Sequence, residues 1–224
     1  MSIAPLAALL AVLTAAPAAA QSLSQDQTAD PAGFSEPYAV SFRGVVFYAI
    51  QNFAAKQTTE ATFGNSRQPF WGGGFQVASP GGFYVELDVS RFKQTGQRAF
   101  INNGQTFPLG IPLTVTVTPI EFSFGYRFGA MSSRVVPYAA GGVGRYNYKE
   151  ESDFAGDGDN VDTHHVGYLA TGGVEFRAQK YIGIAVDVQY THVPGILGTN
   201  GVSQQAGETD LGGIAARFKL IIGR

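Results

Sequence analysis

Between Tyr181 and Val193 the chain alternates with a strict period of two. Ile182, Ile184, Val186, Val188 and Tyr190 share one parity, and Gly183, Ala185, Asp187, Gln189 and Thr191 share the other. A helix, turning every 3.6 residues, would mix the two sets, whereas an extended strand sends them to opposite faces. The same pattern returns along the chain. Phe83, Val85, Leu87 and Val89 oppose Tyr84, Glu86, Asp88 and Ser90. Ile120, Phe122, Phe124, Tyr126 and Phe128 oppose Glu121, Ser123, Gly125 and Arg127. Within 168–178, Val174 and Phe176 oppose Gly173, Glu175 and Arg177. Near the C-terminus Ile214, Ala216, Phe218, Leu220 and Ile222 oppose Gly213, Ala215, Arg217 and Lys219. The 135–148 stretch is weaker; it places Tyr138, Ala140, Tyr146 and Tyr148 opposite Arg145 and Asn147. With 40–50 and 70–78 the count is about eight strands. One phase break is visible. Leu113, Val115 and Val117 are odd-numbered, while the apolar set after Pro119 is even-numbered, so a bulge is expected near Pro119.

The connections alternate in length. Short turns are expected at 79–82, 129–134 and 179–180, and long segments at 52–69, 94–112, 149–164 and 194–207. Antiparallel neighbours joined in this way form an up-and-down sheet, and an even strand number brings both ends to one side.

Ahead of the strands, Ile3 to Leu13 is apolar apart from Pro5, and Pro17 leads into Ala18-Ala19-Ala20. Residues 1–20 therefore read as a cleavable export signal, although they carry no Lys or Arg. Residues 21–37 are polar with three breakers, Pro31, Gly33 and Pro37, and read as a flexible lead-in. Residues 38–224 are left as one β domain. No other apolar run is long enough for a membrane helix. Cysteine is absent, so neither disulfides nor thiolate metal sites support the fold. The formal net charge is −2 and the basic residues are scattered, which argues against a nucleic-acid surface.

Three features decide which face meets which solvent. The small-and-polar face carries glycines 72, 74, 125, 173, 183 and 213, as a narrow interior would require. Its charges nearly balance: Glu86, Asp88, Glu121, Glu175 and Asp187 against Arg43, Arg127, Arg145, Arg177, Arg217 and Lys219. An unpaired ion taken out of water costs several kcal/mol, so a closed polar lumen needs such matching. Aromatic residues gather near the short turns (Phe83, Tyr126, Phe128, Tyr138, Phe176, Tyr181) and near the long loops (Tyr146, Tyr148, Tyr168, Tyr190), where two membrane interfaces would lie. The expected fold is an all-β, closed, antiparallel, up-and-down transmembrane β-barrel of about eight strands. Its apolar face meets lipid, and the eleven charged residues form a structural lumenal network.

The stretches Phe124-Gly125-Tyr126-Arg127-Phe128, Val136 to Gly144, Thr171 to Phe176 and Leu211 to Gly223 resemble the small outer-membrane β-barrel superfamily, OmpA-like and OmpW-like. The resemblance covers residues 38–224 and rests on strand patterns. It implies export to the outer membrane of a Gram-negative bacterium, with outer-membrane lipid and the assembly machinery as partners. Members commonly finish on an aromatic residue, whereas this chain ends Ile222-Gly223-Arg224.

No reactive constellation stands out. Asp153, Asp157, Asp159, Asp162 and Asn160 are oxygen donors beside His164 and His165, but their spacing does not match an EF-hand and a solvated acidic loop explains them. Adjacent strand histidines point to opposite faces. His192 and Asp210 could meet at the rim, yet no Gly-x-Ser-x-Gly accompanies them. The glycine clusters at 72–74 and 141–142 lack the lysine and helix of a phosphate loop. No cofactor, metal or catalytic residue is expected. Eight strands leave an interior filled by its own side chains. The expected role is non-enzymatic, structural or loop-mediated binding, with the loop ligand unspecified. The OmpW-like resemblance implies the alternative, a narrow channel for small or apolar solutes.

Overall fold

A computed structural model describes residues 40–102, 105–129, 133–154, 160–199 and 201–223. The export signal, the lead-in, Asp157, Asp159 and Arg224 lie outside the described residues.

Eight strands close into one antiparallel barrel in chain order: β1 (Ser41–Phe53), β2 (Arg67–Ala78), β3 (Phe83–Asn102), β4 (Gln105–Arg127), β5 (Val135–Glu151), β6 (Val161–Gln179), β7 (Ile182–His192) and β8 (Gly213–Gly223). Two short helices, α1 (Lys56–Phe63) and α2 (Gly201–Ala206), sit in the β1–β2 and β7–β8 connections. β1 pairs with β8, so neither edge of the sheet is left open along the barrel. Starting at Arg43, register partners run through Gln76, Glu86, Ser123, Gly142, Leu169, Thr191 and Gly213, and return to β1 at Phe53. The return lands ten residues beyond the start, from 43 to 53. That stagger is what tilts the strands and closes the sheet.

The outer wall is apolar. Phe75 is 74% exposed, Trp71 67% and Val186 59%. Around them Val46, Phe122, Phe124, Leu87, Phe218 and Ile222 are also exposed. A continuous wall of this kind far exceeds the apolar patch a water-soluble monomer tolerates, and it suits acyl chains. β7 and β8, each 11 residues, match the length a tilted strand needs to cross a bilayer. The even-numbered residues of β7 and β8 and of β4 between Ile120 and Tyr126 face outward, as their alternation requires.

Several sequence expectations are corrected. No bulge occurs at Pro119. The β4–β5 register runs without a shift from Thr114↔Glu151 to Arg127↔Tyr138, and Leu113, Val115 and Val117 are buried inside the barrel. Tyr138, Tyr146 and Tyr148 also point inward, so they belong to no outer girdle. The 94–112 segment is not a loop. β3 and β4 continue through it as a hairpin of 20 and 23 residues, with a register shift between Gln97 and Ala99. A second shift lies between Arg177 and Gln179. The 79–82 turn is tight: Gly82 donates to the Ser79 carbonyl at 3.1 Å with φ +88°, a conformation that favours glycine.

Candidate functional site: a two-layered lumen

The inward faces of the strands build two layers of different chemistry. In the half nearer the short turns the lumen is ionic. Glu175 of β6 accepts from Arg43 Nη1 and Arg127 Nη2, each at 2.8 Å, with Arg177 Nε at 3.5 Å. Arg43 also reaches Gln76, whose Nε2 donates to Glu86 Oε2 at 2.6 Å. Lys219 Nζ lies 2.6 Å from Glu86 Oε1 and 3.4 Å from Asp187 Oδ2. Arg217 grips Asp187 through Nε (2.6 Å) and Nη2 (3.0 Å), and Tyr138 donates to the same carboxylate at 2.6 Å. One connected chain of charge-assisted bonds therefore runs from β6 through β1, β2, β3 and β8 to β7.

Burial makes this network consequential. Asp187 is 1% exposed, Lys219 2% and Glu175 2%. Inside so dry an interior each ion depends on its partners, because solvent cannot replace them. Asp88 is the weakly held member: its nearest cation, Arg217 Nη1, stands 3.9 Å away and its Oδ1 has no hydrogen bond. Glu121 takes its hydrogen bonds from Tyr146 OH at 2.5 Å and Gln189 Nε2 at 3.1 Å. Of the eleven charged residues expected in the lumen, Arg145 is the exception. It is exposed on the outer wall, where its Nε donates to Asn147 Oδ1 at 3.2 Å. The sequence pattern sets its strand in the wrong phase because three inward tyrosines mimic lipid-facing residues. Gln76, Tyr138, Tyr146 and Gln189 are further members of the network: inward parity marks Gln76 and Gln189, whereas the sequence pattern sets the two tyrosines on the wall.

In the half nearer the long loops the lumen is apolar. Phe92 packs on Phe70 (ring centroids 5.3 Å), Phe53 (5.8 Å) and Phe63 of α1 (5.7 Å). Leu113, Val115, Val117, Tyr148, Val193 and Leu211 complete the layer. Above it, α1 closes the mouth. The Glu208 carboxylate accepts from the backbone N–H groups of Gln57 and Thr58 and from the Thr58 hydroxyl, at 2.7 to 3.0 Å, tying α1 to the β7–β8 connection. Gly96 of β3 lets α1 approach, since a Cβ there would fall 2.1 Å from the Thr62 carbonyl. Between the layers lies a cavity of about 30 Å³, lined by Phe47, Glu121, Tyr146, Gln189 and Arg217 among others. Its size suits roughly two waters.

Outside the lumen, His192 Nδ1 and Asp210 Oδ2 do meet, at 2.7 Å. The other Asp210 oxygen accepts from the backbone N–H groups of Val193 (2.7 Å) and Gly212 (2.8 Å), so this carboxylate staples the β7–β8 connection. Among the described residues no group of three or more His, Cys, Asp or Glu is placed to hold a metal ion.

No family model matches the sequence. No curated protein matches it either. Solved structures do. The outer membrane protein OprG from Pseudomonas aeruginosa superposes with a TM-score of 0.54 at 12% identity, over 85% of this chain and 98% of that one. A major outer membrane protein from Thermus thermophilus gives 0.53 at 8% identity, over 84% and 100%. At such identity the likeness concerns the fold, which is that of small outer-membrane β-barrels.

Proposed function

We propose that this chain is a non-enzymatic envelope protein that stands in the outer membrane of a Gram-negative bacterium after signal-directed export, and acts through its loop-side surface. The observation that carries this reading is the double closure of the lumen. A solute entering from the loops meets α1 and the Phe53–Phe63–Phe70–Phe92 cluster. Beyond them it meets the Arg43–Glu175 and Arg217–Asp187 network. Passage would require breaking both, and the ionic layer would strand buried charges at about 3–5 kcal/mol for each pair broken. Binding is left to the exterior: α1, α2, and the β3–β4 hairpin that rises beyond the barrel with Phe100 and Phe107 stacked at 5.1 Å near its tip. Rigid scaffolds commonly present binding on such loops.

Planar-bilayer recording tests this. The folded protein is expected to give no openings above noise. Steady openings of uniform size would instead support the narrow channel for small or apolar solutes and end the closed-barrel reading.

A further inference from the structure

The outer wall changes from apolar to polar at a sharp line on its loop side, and the residues along that line are not the same all the way round. On β2 the outward sequence goes from Trp71 to Pro69 to Arg67. On β3 it goes from Val89 to Arg91 and Lys93, on β4 from Ile120 to Thr118 and Thr116, and on β5 from Val143 to Arg145 and Asn147. On the other strands the outward positions at this end are His164 on β6, His192 on β7, Ile214 on β8 and Asn52 on β1, with no Lys or Arg among them. The cations are therefore gathered on one sector. By register each faces a neutral outward residue of an adjacent strand. Arg91 sits opposite Trp71, Lys93 opposite Thr116, and Arg145 opposite Ile120.

These four cations are only lightly engaged within the protein: Arg145 Nε donates to the neutral Asn147 Oδ1 at 3.2 Å, and Lys93 lies in the field of the exposed Glu151. Arg67, Arg91, Lys93 and Arg145 are all exposed, and none takes part in an ion pair among the described residues. Lys149, one step higher, differs: it is already paired with Glu151 at 2.8 Å. An outward arginine beside isoleucine and valine is costly at mid-bilayer and cheap only where headgroups begin. Trp71, 67% exposed at the same level, marks that interface. The guanidinium fork suits phosphate oxygens, and the Thr116 and Thr118 side chains between the cations add neutral hydrogen-bonding groups.

We infer that the β2–β5 sector is a binding surface for the phosphate groups of anionic outer-leaflet lipid, and that it fixes a lipid annulus on one side of the barrel. The inference rests on the membrane reading of the wall, and the test separates the two. Trp71 is the chain's one tryptophan and lies in the sector, so its fluorescence reports the local lipid. The full-length protein is folded into phosphatidylcholine vesicles containing a minority of phosphatidic acid, with one lipid or the other brominated on its acyl chains near the headgroup. Brominated phosphatidic acid is expected to quench Trp71 as if enriched about fivefold over its bulk share, the factor that one basic residue near an anionic surface supplies. The Arg91→Gln/Arg145→Gln double variant, with its fold checked by heat-modifiable migration, is expected to bring the enrichment back towards one, and so is high salt acting on the wild type. Quenching in strict proportion to bulk composition, or an enrichment untouched by the double variant, would overturn the inference while leaving the membrane reading intact. No quenching by either brominated lipid would overturn the membrane reading, and this inference with it.

Discussion

At the scale of single residues, parity decides what a side chain costs to change. Val186 and Asp187 are sequence neighbours on opposite faces, 59% and 1% exposed. Val186→Arg puts a charge into acyl chains, and a loss of about 2–4 kcal/mol in folding free energy is expected in lipid vesicles. Asp187→Ala acts from the inside. It leaves Arg217 without its bidentate partner and Lys219 with one contact fewer. A loss of about 3–5 kcal/mol is expected, as for other buried pairs with one partner removed. Urea titration of both variants in vesicles checks these values, and Asp88→Asn should fall well below either, because the Asp88–Arg217 pair, at 3.9 Å, is the longest in the network. Residue parity is legible in the sequence wherever the apolar side is also the lipid side. It misleads at Tyr138, Tyr146 and Tyr148, which are greasy enough to mimic wall residues yet use their hydroxyls on Asp187, Glu121 and Glu150. The same error of phase misplaces Arg145.

At the scale of elements, the informative case is β4. Its inward face changes from Leu113, Val115 and Val117 to Glu121, Ser123 and Arg127 without any shift of register. The sequence shows apolar residues changing parity at Pro119, which suggests a bulge. The strand instead keeps its phase while the lumen around it changes from dry to ionic. The rest of the dry layer lies off β4. It comes from Phe53, Phe70 and Phe92 on three other strands and from α1 above them. The helix itself is out of reach of periodicity, since only Thr59 and Thr62 of its eight residues are fully buried. Two outcomes follow at this scale. Phe92→Ala removes the ring shared by three aromatic contacts and should lower stability by about 3–5 kcal/mol in a urea titration. Gly96→Val pushes a side chain into the Thr62 carbonyl and the Phe63 ring. Hydrogen exchange across residues 56–63 should rise sharply in that variant, while exchange in β7 and β8 stays unchanged.

At the scale of the whole molecule, the barrel is inverted relative to a water-soluble one only in part. Its wall is apolar throughout the span, and its interior is polar in one half and apolar in the other. Strand count, closure and wall are readable because each strand repeats the same rule and eight repetitions leave little choice of architecture. The layered lumen is not readable, because it depends on which strands meet at a given height, and that is set by the ten-residue stagger accumulated around the sheet.

The most direct test uses the absence of cysteine from the chain, which makes single-cysteine spin labelling clean. Labels are placed one at a time from Ile184 to Gln189 and from Leu113 to Ile120 in bilayers, and collisions with oxygen and with a water-soluble nickel complex are measured. Oxygen access should peak at Ile184, Val186, Val188 and Ile120. Leu113, Val115 and Val117 should be shielded from both reagents, as should Ala185 and Asp187. Lipid access at Leu113, Val115 and Val117, or an oscillation of opposite phase on β7, would contradict the assignment of wall and lumen.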